Sequence, residues 1–369
     1  MLTLAAALLA GSFVFSAILT ALSRKLAPKL GLVAYPKADR YHRKVIPLGG
    51  GIAIYGTLTI FLLAAVGFVR FVLMSGHFGG LIEKANIDPA DFLKHSDELV
   101  IVLLCATVLF GMGLWDDRKS LGPLVKFVIQ WVVALAAAGF ADIRVEMFIE
   151  NRIVTSALSA FWIVLMMNAF NFLDNMDGAA AGIAAITSGI LFAAAAFNEQ
   201  VFVGGLALLF VGTLLGFLMF NFPPASIFMG DAGSLVVGFF VALLTLRTTY
   251  YQQDAAGPWY PVLMPLVVMA VPLYDFTSVT LLRLSQGKSP FIGDTQHFSH
   301  RLRRHGLTDN QTVLTLYLAT LCCGLGATFL YQVNLVGAVL IFAQTFLILA
   351  IIAIFESTAG SDRQRTKDK

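Results

Sequence analysis

The sequence predicts an all-α polytopic membrane protein with about eleven transmembrane helices, and three observations carry that prediction. Of 369 residues, 58% are hydrophobic and only 13% are charged, about half the roughly 25% usual in soluble domains. Apolar runs of about 20 residues, the length that crosses a bilayer's hydrocarbon core, recur from end to end. The Lys and Arg residues crowd into one set of the intervening loops, as expected of a chain that crosses a membrane repeatedly.

The runs fall at 2–22, 48–74, 99–115, 122–141, 155–173, 178–197, 200–221, 232–247, 259–282, 311–331 and 334–356. The first lacks a basic n-region and a polar cleavage site and is longer than a signal peptide needs, so it reads as the first transmembrane helix. The runs 99–115 and 232–247 are the shortest. Only Asp174-Asn175-Met176-Asp177 separates 155–173 from 178–197. Between the fourth and fifth runs, Ile143–Ile149 and Arg152–Val154 read as two short strands around Glu150-Asn151, a small external β-hairpin. Trp259 and Tyr260, with Tyr250 and Tyr251 nearby, suit the outer interface as aromatic anchors. The chain divides into one membrane domain over 1–356 and a polar cytoplasmic tail over 357–369.

Orientation follows from the loop charges. Eighteen Lys and Arg fall in the loop 23–47, at Arg118-Lys119, between Arg283 and Arg304, and in the tail. Four, Lys84, Lys94, Arg144 and Arg152, fall on the opposite side. The positive-inside rule then puts the N-terminus outside and the C-terminus in the cytoplasm. A net charge of +3 is too mild to point to nucleic acid. Cys105, Cys322 and Cys323 lie inside apolar runs, with neither metal-ligand spacing nor a disulfide framework.

With this topology the polar clusters gather on the cytoplasmic side. Asp116-Asp117 ends the third helix, Asp174 and Asp177 end the fifth, and Gly230-Asp231 precedes the eighth. Apart from Glu356, every acid on that side is Asp, whose short side chain makes a stiff hard-oxygen ligand suited to magnesium. Carboxylates near membrane depth are expensive and are usually functional. A single Asp pair could be a solvated helix end, but three hydrophobic hairpins deliver five aspartates to one face. Asn168, Asn171, Asp174 and Asp177, spaced by three, run along one helix face. The alternative use of such amides is hydrogen bonding between membrane helices.

Asn221-Phe222-Pro223-Pro224-Ala225 breaks the chain after the seventh helix. Phe228-Met229-Gly230-Asp231-Ala232-Gly233-Ser234 opens the eighth, and its helix N-terminus suits phosphate or magnesium. The loop after the ninth helix combines Asp275, Arg283, Lys288, Asp294, His297, His300, Arg301, Arg303, Arg304 and His305. Two histidines three apart are a weak zinc signal. Arginines beside histidines better suit a diphosphate, and the blander reading is a basic loop touching lipid headgroups.

Taken in order, these motifs resemble the polyprenyl-phosphate N-acetylhexosamine-1-phosphate transferases. The matching elements run from Gly31-Leu32-Val33, with Pro36, Arg40, His42, Pro47 and Gly49-Gly50-Gly51, through Trp115-Asp116-Asp117 with Leu121 and Lys126. They continue through Asn168 to Gly178, Asn221 to Ser234, Pro272 with Asp275, and Asp294 with His297 to Leu302. The chain departs from the family pattern at Ala34, where Asp is common, at Asn175, where Gly follows the Asp, and at Ser299, where His is usual. The last two departures bear on sugar choice more than on the reaction.

The resemblance implies transfer of N-acetylhexosamine 1-phosphate, GlcNAc-1-phosphate foremost, from a UDP-sugar to undecaprenyl phosphate in a bacterial inner membrane. UMP is released, and the lipid-linked product feeds cell-envelope polysaccharide such as lipopolysaccharide or teichoic acid. It further implies a magnesium cofactor, with manganese as a substitute, and is compatible with a homodimer. Asp116, Asp117 and Asp231 are the catalytic candidates, with Asp231, Asn171 and Asp116 the candidate metal ligands. Asp116 and Asp117 would bind or deprotonate the lipid phosphate or complete the metal shell. Lys126, Asn168, Asn171, Asp174, Asp177, Asp275, Asp294, His297, His300 and Arg301 are the substrate-binding candidates. The alternative within the family is the phospho-N-acetylmuramoyl-pentapeptide transferase branch, whose loop is typically a run of histidines. An ion-coupled transporter would carry its acids nearer the midplane. A CDP-alcohol phosphotransferase would need Ala-Arg soon after Asp177-Gly178, which is absent.

Overall fold

A computed structural model describes residues 2–36, 45–74, 93, 96–145, 149–248, 258–289 and 297–367. Arg40, His42, Tyr250, Tyr251 and Asp294 lie outside the described residues. The expected all-helical membrane fold is present. Among the described residues ten helices are long and apolar enough to cross a membrane, and a bent helix pair makes a candidate eleventh span.

The long helices are α1 (Leu2–Leu26), α2 (Gly50–Phe68, continued by a π-helical turn over Val69–Leu73), α3 (Ser96–Arg118), α4 (Pro123–Phe140) and α5 (Arg152–Leu173). They continue with α6 (Ala179–Phe197), α7 (Val201–Asn221) and α8 (Gly230–Arg247). The short α9 (Met264–Val268) meets α10 (Ala270–Ser285), and the seven-residue α11 (Phe298–Arg304) leads to α12 (Asp309–Thr328) and α13 (Leu335–Lys367).

Two expectations are corrected. The ninth run, read as one span over 259–282, is broken at Met269, where its two helical parts meet at 64°. Pro272 explains the break, because it lacks an N–H and its ring conflicts with the carbonyl four residues back, that of Val268, where α9 stops. The hairpin expected over 142–154 is not where the sequence put it. Arg152–Val154 forms the first turn of α5, because the Asn151 side chain accepts from the Ile153 and Val154 N–H groups and caps the helix. The small two-stranded antiparallel sheet lies earlier, pairing β1 (Val33–Ala34) with β2 (Ile46–Pro47).

Small residues let the helices pack closely without an aqueous hydrophobic driving force. Gly212 and Gly216 of α7 lie against α1, where an added Cβ would sit 2.0 Å from Ser12 Oγ and 2.4 Å from Phe13 O. Ser16 Oγ donates to Thr213 O at 2.6 Å across the same seam. At the centre stands α8, buried along nearly its whole length and packed against α2, α3, α5 and α6. Its first turn is held by neighbouring backbone: Gly50 and Gly51 N–H donate to Phe228 O and Met229 O, and Phe228 N–H donates to Pro47 O. This central helix therefore presents its N-terminal residue Asp231 at a fixed place.

Candidate active site

The site forms where α3, α5 and α7 end and α4, α6 and α8 begin. Gly230, at φ +72°, turns the chain into α8, a conformation glycine adopts without a Cβ penalty. The Asp117 carboxylate then accepts the N–H groups of Asp231 at 2.9 Å and Ala232 at 3.2 Å. It thereby satisfies two of the donors a helix start leaves open. The α8 N-terminus, which the sequence offered to phosphate, is thus occupied by a side chain of α3, and Asp117 anchors Asp231 through the backbone.

Asp116 and Asp231 converge on one cation. The Lys126 ammonium lies 3.1 Å from Asp116 Oδ2 and 2.9 Å from Asp231 Oδ2. Asp116 Oδ1 accepts the Leu121 N–H at 2.6 Å, which fixes the α3–α4 turn. Asn171 Nδ2 donates to Asp231 Oδ1 at 3.1 Å and to Ser234 Oγ at 2.9 Å. All three candidate metal ligands therefore meet at one point, with Lys126 between the carboxylates. Among the described residues no group of three or more His, Cys, Asp or Glu is arranged to hold a metal ion. Two carboxylates already gathered about a positive charge are nevertheless hard-oxygen donors of the kind magnesium takes, and Asn171, which turns its Nδ2 toward Asp231, carries a further oxygen on the same amide.

Asn168, one turn earlier on α5, faces elsewhere. Its Nδ2 donates to Gln130 Oε1 of α4 at 2.7 Å and to Val164 O at 2.8 Å, which makes it the helix-to-helix amide bond weighed above. Asp177 Oδ2 accepts the Ala225 N–H at 2.8 Å, and Asn221 Oδ1 accepts the Gly178 N–H at 3.0 Å. These two bonds staple the α5–α6 loop to the α7–α8 loop. Asp174 lies at the C-terminal end of α5, its N–H donating to Phe170 O.

A second cluster adjoins the first through the last turn of α5. Asn171 faces Asp231, while the next residue, Phe172, faces the other way. The His297 ring meets it edge-on at 5.4 Å and the Arg283 guanidinium lies over it at 4.9 Å. Buried Asp275 accepts from His297 Nδ1 at 3.0 Å and from the Phe298 N–H at 2.6 Å. Because a carboxylate only accepts, the ring proton sits on Nδ1, leaving Nε2 toward the Arg283 guanidinium 3.5 Å away. Asp275 thus both caps α11 and orients the histidine. His300 lies on α11.

Arg301, expected to grip a diphosphate, is held by protein groups. Its Nε lies 3.0 Å from Glu356 Oε2, and its NH2 group donates to Ser278 Oγ at 2.7 Å. Tyr274 Oη also donates to Glu356 Oε2, at 2.9 Å. The short α11 is thereby latched to α10 and, through Glu356, to α13. Breaking a buried pair by removing one partner costs about 3–5 kcal/mol, whereas replacing both with apolar groups is often neutral. Glu356→Ala is expected to lower the thermal midpoint in detergent sharply, and the Arg301→Met/Glu356→Met double variant to recover most of it. Equal midpoints for the single variant and the unaltered protein would refute the latch.

Asn221, Ser234 and Glu356, named in the sequence without a site role, belong to this network, as do Gln130 and Ser278. Asn221 was legible inside its Pro-Pro motif. Gln130, one turn after Lys126, is legible as a polar residue in an apolar helix.

Residues 99–249, from α3 past the end of α8, match the family described as glycosyl transferase family 4. That span holds Asp116, Asp117, Lys126, Asn171 and Asp231. Similarity to curated relatives extends beyond the matched span. The chain is 28% identical over 349 residues to the probable undecaprenyl-phosphate N-acetylglucosaminyl 1-phosphate transferase of Bacillus subtilis, covering 93% of this chain and 87% of the relative. It is 29% identical over 333 residues to the undecaprenyl-phosphate alpha-N-acetylglucosaminyl 1-phosphate transferase of Salmonella typhi, covering 87% and 82%. It is also 29% identical over 326 residues to the decaprenyl-phosphate N-acetylglucosaminephosphotransferase of Mycobacterium tuberculosis, covering 80% and 74%. The resemblance read from the motifs is borne out, and the chain is a multi-pass membrane glycosyl-1-phosphate transferase. The muramoyl-pentapeptide alternative is not favoured, since these relatives are named for N-acetylglucosamine.

Proposed function

We propose that this transferase moves N-acetylglucosamine 1-phosphate from UDP-N-acetylglucosamine to undecaprenyl phosphate, releasing UMP, at the cytoplasmic face of a bacterial inner membrane. The observation that carries the reading is the convergence of Asp116, Asp231 and Asn171 about the Lys126 ammonium. Two anionic substrates must meet there, and positioning with charge neutralisation does most of the work in phosphoryl transfer. The loop charges support the cytoplasmic placement, where nucleotide sugars are made.

An oxygen of the lipid phosphate attacks the β-phosphorus of the UDP-sugar. A new P–O bond forms, the bond from that phosphorus to the bridging oxygen breaks, and UMP leaves with the electron pair. The sugar keeps its bond to the transferred phosphate. Magnesium, when bound, would neutralise the diphosphate and favour the departing UMP. Asp231, Asp116 and the Asn171 carbonyl would hold it. Lys126 offers an ammonium for the acceptor phosphate, while Asp117 keeps Asp231 in place. Asp177 and the Asp275-oriented His297 border the donor side of the site.

Purified protein in detergent, given undecaprenyl phosphate and a panel of UDP-sugars, should release UMP best with UDP-N-acetylglucosamine. Extracted lipid should carry the sugar diphosphate, and EDTA should abolish the reaction until magnesium or manganese is returned. UMP release that ignores EDTA would remove the metal from this reading. A preference for a different UDP-sugar would overturn the donor assignment.

A further inference from the structure

We propose that Asn175 and Ser299 are paired positioning residues whose hydrogen bond sets which UDP-N-acetylhexosamine the site accepts. The inference rests on the transferase reading above and goes beyond it by naming the device that selects the donor. Ser299 Oγ donates to Asn175 Oδ1 at 2.5 Å. Asn175 is itself fixed, because its Nδ2 donates to Phe172 O in the last turn of α5, also at 2.5 Å. Ser299 is buried at 4% exposure, so the bond is shielded from competing water.

The bond joins the α5–α6 loop directly to α11. Asn175 sits between Asp174 and Asp177 in a loop whose far end is pinned by the Asp177–Ala225 bond. Ser299 sits on α11 between His297 and His300, on a helix pinned at its start by Asp275 and further along by Glu356. These are two of the three positions where the chain departs from the pattern it resembles, which has Gly in place of Asn175 and His in place of Ser299. Glycine has no side-chain oxygen to receive a hydroxyl, so the two departures form one matched contact. UDP-sugar epimers differ in the direction of a single hydroxyl, and displacements of about 1 Å change rates by up to about a hundredfold. A contact that spaces the aspartate loop from the histidine helix therefore acts on donor choice.

The test compares kcat/KM for UDP-N-acetylglucosamine and its C4 epimer UDP-N-acetylgalactosamine, by UMP release from the full chain in detergent. Asn175→Gly and Ser299→Ala should each shift the ratio of the two donors by about five- to tenfold, the worth of one lost hydrogen bond or slightly more. The double variant should shift it no further than the larger single change, because both break the same bond. Ser299→Thr, which keeps the hydroxyl, should keep the wild-type ratio. Equal losses on both donors, additive single effects, or an alanine-like ratio in Ser299→Thr would overturn the proposal while leaving the transferase reading intact. A wild-type chain that releases no UMP from any UDP-sugar would overturn that reading and this proposal together.

Discussion

Asp231→Asn lowers UMP release by at least about a hundredfold, the scale on which one preorganised charge-stabilising group acts, and leaves a folded protein. Both halves follow from how the side chain is held. Its Oδ2 meets Lys126 and its Oδ1 receives Asn171, so asparagine removes a charge from the point where three helices converge while keeping the shape. The helix itself does not depend on that charge. Its first turn is held by Asp117 on the Asp231 and Ala232 N–H groups and by Gly50 and Gly51 on the preceding carbonyls. Lys126 keeps Asp116 as a partner at 3.1 Å, so no buried cation is left alone. The measurement is UMP release beside a thermal unfolding curve. Near-normal release from a purified Asp231→Asn protein would refute the metal-ligand assignment.

Asp117→Asn separates the two neighbouring aspartates. An asparagine retains one carbonyl oxygen and so can receive only one of the two α8 N–H groups well. Activity and thermal midpoint are therefore expected to fall together, unlike at Asp231.

What was legible in the sequence, and what was not, follows the reach of each physical signal. Spans were readable because lipid demands long apolar runs, and the aspartates because charge near membrane depth is rare. The convergence of Asp116 and Asp231, 115 positions apart in the chain, was anticipated from topology alone. The division of labour within Asp116-Asp117 was not, because adjacent residues on a helix face different ways and only the packing of α8 decides which faces its backbone. Arg301 looked like a diphosphate ligand because its partner, Glu356, comes from the last helix, and no local pattern links the two. The kink at Met269 was written in Pro272 but hidden by a hydropathy that runs unbroken across it. The misplaced hairpin arose from β-branched residues at 153–155, whose strand preference was overruled by the Asn151 cap.

Gly113→Ala should disable the protein through geometry, with no functional group touched. Gly113 lies on α3 one turn before Asp117, and a Cβ there would stand 2.4 Å from both the N and Cα of Ala232. On the opposite side, a Cβ at Gly51 of α2 would stand 2.5 Å from Gly233 N. The first turn of α8 is therefore gripped between two backbones and cannot yield by rotating a side chain. Overpacking a core usually costs about 1–3 kcal/mol, and rigid walls on both sides place this case at the upper end. Any shift of Ala232 also carries Asp231 off Lys126, and a misplacement of about 1 Å can cost a hundredfold in rate. Gly111, two residues earlier on the same helix, has nothing within 4 Å of a built Cβ. Gly111→Ala should be neutral or slightly stabilising, since alanine is better than glycine in a helix interior by roughly 0.5–1 kcal/mol. If Gly113→Ala and Gly111→Ala unfold at the same temperature and release UMP equally fast, close backbone packing is not what places Asp231.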